Sequence, residues 1–320
     1  MPPVPSIHRR GRRGWRSGEF GTGPRRGFLI PRFLVDTQFQ RITIVGLGLI
    51  GGSWGLALKA RGVRARRVGC DRPEVLAHAL AAGVVDEGSS DLAAVRDADL
   101  VILATPVGVI LDLLPQLKSQ VSGRALITDV GSTKRLICQR AREILGDEPL
   151  FLGGHPLAGK ERSGLENASA ALLDGSRYVL TPLLPNHLED ARVKAFSALI
   201  EALGAKPFVT EASTHDRAVA FLSHLPQLVS SGMASMIAEQ GAGDFLPLEL
   251  AGSGFRDVTR LAESPYGLWR DICLTNIENI QSALEALIEK LEAMKLHLSD
   301  RELERDFNKA LKLRVKLREG

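Results

Sequence analysis

Residues 46–51, Gly-Leu-Gly-Leu-Ile-Gly, constrain the fold more than any other stretch of the chain. In front of them stands Arg41–Val45 (RITIV), a β-branched run that reads as a buried strand. Behind them an apolar stretch rich in small residues continues to about Arg61 and reads as a helix. Strand, G-x-G-x-x-G and helix in that order form the dinucleotide-binding turn of a doubly wound α/β sheet. Gly46 makes the tight turn, Gly48 lets a pyrophosphate approach the backbone, and Gly51 lets helix pack on strand. The helix start at Leu49 and Ile50 offers free N–H groups and the positive end of its dipole to phosphates. A second strand, Arg67–Cys70, ends at Asp71, about 20 residues beyond the last glycine, where a carboxylate can take the ribose 2′-hydroxyl. That predicts NAD. Arg72 beside it would stack on adenine, pair with a phosphate or stand as a solvated charge, and it leaves NADP as the alternative.

The α/β alternation continues. Pro73–Ala82 is helical in pattern, Asp99–Ala104 is a strand ending at Thr105-Pro106, and Ala125–Val130 is a strand ending in Gly131-Ser132-Thr133-Lys134, with a helix to about Leu145. A further apolar run leads into Gly153-Gly154-His155-Pro156. Ligands of open α/β sheets bind beyond the carboxyl ends of the strands, and Thr105, Ser132 and His155 all fall at such ends. An imidazole held between glycines and a proline suits proton transfer near neutral pH; its alternative is a turn histidine without chemistry. Gly153 and Gly154 would let the backbone approach a ligand or take positive φ. Ser132 reads first as a helix N-cap, and its hydroxyl could also orient His155 or touch the nicotinamide ribose. Arg177–Leu180 is a strand, His187–Leu203 a helix with His187 exposed near its start, and Lys206–Val209 an edge strand.

From about Ala212 the pattern is helical. One long helix, capped by Ser213 or Thr214, runs to about Gln240 and carries His215, Asp216, His224, Pro226 and Gln227. His224 and Gln227 share a face as site candidates, although His224 is also compatible with a satisfied core histidine. His215 lies about 180° around an ideal helix from His224, so it is assigned a structural role unless Pro226 bends the helix. Arg256, between glycines, offers a planar fork to a carboxylate or an ion pair to Asp257. A further helical pattern opens at Trp269-Arg270-Asp271, and Leu284, Leu287, Ile288, Leu291 and Met294 form a stripe expected to be bundle core or dimer seam. The charged stretch 298–320 is expected to be a solvated helix or a frayed end.

Three segments follow: a basic arm, 1–38; a dinucleotide-binding domain, 39–211; and a helical substrate and dimerisation domain, 212–320. The arm has no hydrophobic periodicity and is expected to be disordered. Its paired arginines lack the apolar stretch a twin-arginine signal needs; a transit peptide and a mis-assigned start remain open. The formal charge of +4 resides there, because residues 1–40 carry a net +6, and the near-neutral remainder gives no reason to expect a nucleic-acid partner. No apolar run is long enough for a membrane span. Three scattered cysteines fit a reducing compartment, which points to the cytoplasm.

GLGLIGGS at 46–53, ATP at 104–106, DVGSTK at 129–134, GGHPLAGKERSG at 153–164, SHLPQ at 223–227 and GFRDVTR at 254–260 together resemble the prephenate/arogenate (cyclohexadienyl) dehydrogenase family of tyrosine biosynthesis. The motifs come in that family's order over about residues 40–290. The resemblance implies a Rossmann-type nucleotide-binding domain followed by an all-helical domain that makes a homodimer. It implies NAD-dependent oxidative decarboxylation of prephenate to 4-hydroxyphenylpyruvate, or of arogenate to tyrosine. His155 would bond the ring 4-hydroxyl, Ser132 would orient it beside the nicotinamide, and Arg256 would hold the side-chain carboxylate. Many members have a histidine where this chain has Gln227, which leaves the choice between the two substrates open. An arogenate-specific enzyme, a β-hydroxyacid dehydrogenase using Lys134, and a non-catalytic NAD-binding regulator are the alternatives.

Overall fold

The computed structural model describes residues 35–159, 162–240 and 248–319, so nearly all of the basic arm lies outside them. Eight strands form one sheet: β1 (Arg41–Val45), β2 (Arg66–Cys70), β3 (Glu87–Ser89), β4 (Leu100–Leu103), β5 (Leu126–Asp129), β6 (Leu150–Pro156), β7 (Arg177–Pro182) and β8 (Lys206–Val209). Their order is β3-β2-β1-β4-β5-β6-β7-β8. Only the β6–β7 pair is antiparallel. Five helices belong to this half: α1 (Leu49–Ala60), α2 (Pro73–Ala81), α3 (Val107–Gln120), α4 (Arg135–Leu145) and α5 (Ala191–Ala202).

β4 shows why the sheet sits where it does. All four of its side chains are fully buried, and they alternate: Leu100 and Ile102 join one apolar cluster, Val101 and Leu103 the other. A strand with period-two burial on both faces belongs in the middle of a parallel sheet covered by helices on each side. Each such side chain contributes about 1.5–3 kcal/mol on burial. The strand order reverses between β1 and β4, and the crevice beyond their carboxyl ends is the ligand position for this topology.

The fifth helix of this half starts later than expected. His187 lies in a short 3₁₀ turn headed by Pro185, and it is buried rather than exposed. α5 begins only after Asp190, whose carboxylate accepts the Arg192 N–H at 2.8 Å.

The helical half contains α6 (Ala212–Val219), α7 (Leu225–Glu239), α8 (Ser253–Thr259), α9 (Tyr266–Thr275), α10 (Ile277–Leu296) and α11 (Arg301–Glu319). The helix expected over 213–240 is thus divided: a π-helical turn, Ala220–His224, stands between α6 and α7. Pro226 has no N–H to give to the carbonyl four residues back, so the ladder is interrupted at that point and a wider turn fits there. α10 buries Ile280 and Ala283 against Ala220, while Ile288 and Leu291 remain exposed. The charged stretch is helical, and Lys290 Nζ meets Asp306 Oδ2 at 2.6 Å to tie α11 to α10. Among the described residues no helix is long and apolar enough to cross a membrane.

Candidate active site

The glycine loop closes around β4. Gly46 has φ +92°, and a side chain there would lie 2.7 Å from the Ala104 carbonyl oxygen. A Cβ at Gly51 would fall 1.9 Å from the Gly46 carbonyl oxygen. Gly48, by contrast, faces open space, with no atom of the described residues within 4 Å of where a Cβ would stand. No side chain caps the start of α1 and no acidic residue stands in its first turn, so the amides around Leu49 and Ile50 are free for an anion. Asp71 directly follows β2, with its Oδ2 accepting the Leu47 N–H at 2.6 Å and its Oδ1 accepting the Arg72 N–H at 2.7 Å. Gly46, Asp71, Arg72, Pro73, Ser90 and Thr105 line one cleft of about 410 Å³. The Arg72 side chain is exposed beside Asp71 and Glu74. Thr105 Oγ1 is buried and has no hydrogen-bond partner among the described residues. An open backbone over Gly48, an uncapped helix start, a strand-end carboxylate and an unspent hydroxyl are the donor and acceptor set a dinucleotide requires.

His155 is the penultimate residue of β6, opposite Val179 on β7. Neither Gly153 nor Gly154 has positive φ. They are required instead because neighbouring strands come close: a Cβ at Gly154 would meet the Asp129 carbonyl oxygen at 2.5 Å, and one at Gly153 the Thr181 Oγ1 at 2.2 Å. Lys134 and Asp129 are fully buried and ion-paired. Lys134 Nζ also donates to the Gly154 carbonyl oxygen at 2.7 Å, while Asp129 Oδ1 accepts the Gly154 N–H at 3.1 Å and Oδ2 the Gly131 N–H at 2.8 Å. The peptide groups before His155 are thereby held from both sides, and Lys134 is committed to this task rather than free for a β-hydroxyacid mechanism.

The partner of His155 Nδ1 is His215 Nε2, at 2.8 Å. His215 Nδ1 donates to Asp216 Oδ1 at 2.7 Å. Asp216 is fully buried; its Oδ1 also accepts the Lys134 N–H at 2.7 Å and its Oδ2 the Arg135 N–H at 2.9 Å. α4 is therefore capped by a carboxylate from α6 and not by Ser132, which the sequence suggested. Ser132 is partly buried at the end of β5 and makes no hydrogen bond to His155. The assignment of His215 to a structural role away from the site is likewise overturned. The π-turn inserts one residue, so His215 and His224 are separated by about 80° rather than about 180°.

Protonation follows from these contacts. A carboxylate only accepts, so His215 carries its proton on Nδ1 and presents a lone pair at Nε2. His155 then donates from Nδ1 and keeps a lone pair on its own Nε2. Burial, above all, holds the His155 imidazole well below the usual histidine range, so it is neutral near pH 7. Burial, with a smaller contribution from His215, pushes His224 down to about 4 against the pull of Asp216. His224 Nδ1 accepts from Asn276 Nδ2 at 3.3 Å, and the neutral ring keeps a donor N–H at Nε2. Asn276 also donates to the Asp216 carbonyl oxygen at 2.8 Å, and its own oxygen accepts from Asn279 at 2.7 Å. The His224 ring meets Trp269 edge-on at 5.8 Å, and Trp269 Nε1 is a buried donor without a partner among the described residues.

The other two candidates stand differently. Gln227 is buried, and its amide nitrogen donates to the Leu261 carbonyl oxygen at 2.8 Å and to Ser231 Oγ at 3.2 Å, leaving its carbonyl oxygen to offer. Arg256 is exposed on α8; its Nε donates to the Ala251 carbonyl oxygen at 3.2 Å, with no ion pair to Asp257. His215, Asp216, Trp269 and Asn276 join the site beyond the residues that the sequence patterns mark for it. The histidine–aspartate pair near a helix start was the available signal; nothing local marks Asn276.

Comparison with known proteins gives the following. The model of the prephenate dehydrogenase nucleotide-binding domain matches residues 54–209, and that of the prephenate dehydrogenase dimerization domain residues 211–313. The chain is 32% identical over 280 residues to prephenate dehydrogenase of Lactococcus lactis, covering 86% of this chain and 77% of that one. It is 30% identical over 292 residues to cyclohexadienyl dehydrogenase of Zymomonas mobilis, covering 88% and 97%. Prephenate dehydrogenase of A. aeolicus, solved with hydroxyphenyl propionate and NAD⁺, superposes with a TM-score of 0.78 at 32% identity, covering 88% and 98%. Arogenate dehydrogenase of Synechocystis superposes with a TM-score of 0.72 at 32% identity, covering 87% and 99%.

Proposed function

The chain belongs to the prephenate dehydrogenase family, and from that premise we propose the roles its residues take in oxidising a cyclohexadienyl acid. The reaction is the NAD-dependent oxidative decarboxylation of prephenate, or of arogenate. NAD, when bound, supplies the acceptor for the hydride that leaves the hydroxyl-bearing ring carbon. The glycine loop and the start of α1 hold its pyrophosphate, Asp71 its ribose, and Thr105 and Ser132 lie on the nicotinamide side. His155 Nε2 takes the hydroxyl proton as the ring carbonyl forms; loss of CO₂ then leaves a phenol, and aromatisation makes the step irreversible. The observation that supports this most is the contact of His155 Nδ1 with His215 Nε2 at 2.8 Å, which leaves the His155 Nε2 lone pair to act as base.

Arg256 holds the side-chain carboxylate, since only its Nε is engaged among the described residues. His224 Nε2–H donates to the ring substituents. Gln227 favours arogenate as a second, narrower reading: its free carbonyl oxygen accepts from an ammonium and offers nothing to a keto acid. Leu250, Tyr266, Leu274, Leu296 and Phe307 are exposed on the helical half, and they pack between two copies in a homodimer. The enzyme is cytoplasmic, in keeping with its three free cysteines.

Initial rates of reduced-cofactor formation, measured with prephenate and arogenate against NAD and NADP, test the reading. A tenfold preference in kcat/KM, about 1.4 kcal/mol at the transition state, names the substrate. Turnover in none of the four combinations would overturn it.

A further inference from the structure

We infer that His215 and Asp216 are positioning residues that set the basic nitrogen of His155 and take up the charge that forms on it. The inference rests on His155 being the base of the proposed reaction. A neutral imidazole in isolation exchanges freely between two tautomers, and only one leaves Nε2 as an acceptor. Here the choice is made in two steps. Asp216 accepts from His215 Nδ1 at 2.7 Å, and His215 Nε2 in turn stands 2.8 Å from His155 Nδ1. Asp216 also accepts two backbone N–H groups at the positive end of α4, from Lys134 at 2.7 Å and from Arg135 at 2.9 Å.

The charged and titratable groups around His155 make this arrangement necessary. From the β5–α4 turn comes the Lys134 ammonium, already neutralised by Asp129; from the π-helical turn comes His224; from α6 come His215 and Asp216. Asp216 is the carboxylate joined to the ring through hydrogen bonds. When the substrate O–H bond breaks and the proton joins His155 Nε2, the new positive charge spreads by way of Nδ1–H toward His215 and onward from His215 Nδ1–H toward Asp216. The site gains one proton, no electrons move through the relay, and the buried charge is matched by an existing anion.

Two variants at one position separate relay from packing. His215→Asn retains an amide donor where Nδ1 stood and has no atom where Nε2 stood. His215→Gln reaches the Nε2 position with an amide group. Expected for His215→Asn is a fall of about 100-fold or more in kcat, with the acid limb of the kcat profile moved to lower pH by about one unit because the imidazolium has lost its support. Substrate KM and NAD Kd should stay within about threefold, and His215→Gln should recover at least about tenfold of the loss. Asp216→Asn should shift the limb in the same direction; if its lost α4 cap prevents folding, the pair at 215 decides. A His215→Asn enzyme with kcat within threefold of the parent, an unmoved acid limb, or a His215→Gln enzyme no better than His215→Asn would each overturn the relay. Failure of the reaction assignment is seen separately, as no turnover by the parent enzyme. In that case ¹⁵N shifts of His155 in the unliganded protein still test the tautomer: a protonated Nδ1 supports the relay, and a protonated Nε2 with a bare Nδ1 overturns it.

Discussion

Replacing Lys134 by methionine tests how the peptide before His155 is held. Lys134 and Asp129 are both fully buried, so the variant leaves a carboxylate in the interior without its cation. Breaking a buried pair in this way costs about 3–5 kcal/mol. Asp129 would keep its bonds from Gly131 at 2.8 Å and Gly154 at 3.1 Å, which places the electrostatic loss near 3 kcal/mol, the lower end of that range. The Gly154 carbonyl oxygen also loses the Lys134 donor at 2.7 Å, adding about 1 kcal/mol for an unsatisfied buried acceptor. Methionine fills most of the lysine stem, so no large cavity term is added. The sum is about 4 kcal/mol, to be read from urea unfolding followed by fluorescence, for which the fully buried Trp54 is a reporter. The double variant Lys134→Met with Asp129→Asn removes the stranded charge and should cost only about 1–2 kcal/mol, less than the single one. A single variant within about 1 kcal/mol of the parent, or a double variant less stable than the single, would refute the reasoning.

His155→Asn should lower kcat by about 10²–10⁴-fold while NAD affinity, measured by fluorescence titration, stays nearly unchanged. Gly51→Ala should weaken NAD binding at least about tenfold, because its methyl group would fall 1.9 Å from the Gly46 carbonyl oxygen and push α1 off the loop. Acid should destabilise the fold through His224. Its pKa is 6.5 when unperturbed and about 4 in the fold, so below 6.5 the unfolded chain binds the proton first. Stability is therefore full above pH 6.5 and falls by up to about 3 kcal/mol as the pH drops toward 4. Urea midpoints from pH 7.5 to 4.5 should decline over that window, and His155 acts in the same direction.

The nucleotide half was legible because its signals are local. β1, Gly46, Gly51 and α1 are contiguous, and the same sterics that demand glycine in the turn make the pattern visible in the sequence. The buried strands were legible for a related reason, since a sheet covered on both faces needs continuous apolar runs. The cap of α4 was not legible: Asp216 reaches Lys134 and Arg135 from more than 80 residues away in the chain, whereas Ser132 stood at the expected local position. His215 was misplaced because ideal helical periodicity was carried through Ala220–His224, where the turn is wider. At Gly153 and Gly154 the glycines do not serve positive φ. What excludes a side chain there is the neighbouring strands, and pairing partners cannot be read from one strand alone.

The carboxylate of Asp216 also bears on how such chains can be recombined. It lies in the first turns of the helical half, yet it closes the end of a helix in the nucleotide half. A nucleotide half cut at the loop before α6 would keep α4 but lose the acceptor for that helix's opening amides, those of Lys134 and Arg135. Hybrid enzymes assembled from two relatives should therefore join after residue 216, inside α6, so that the cap travels with the helix it closes and not with the sequence segment in which it is encoded.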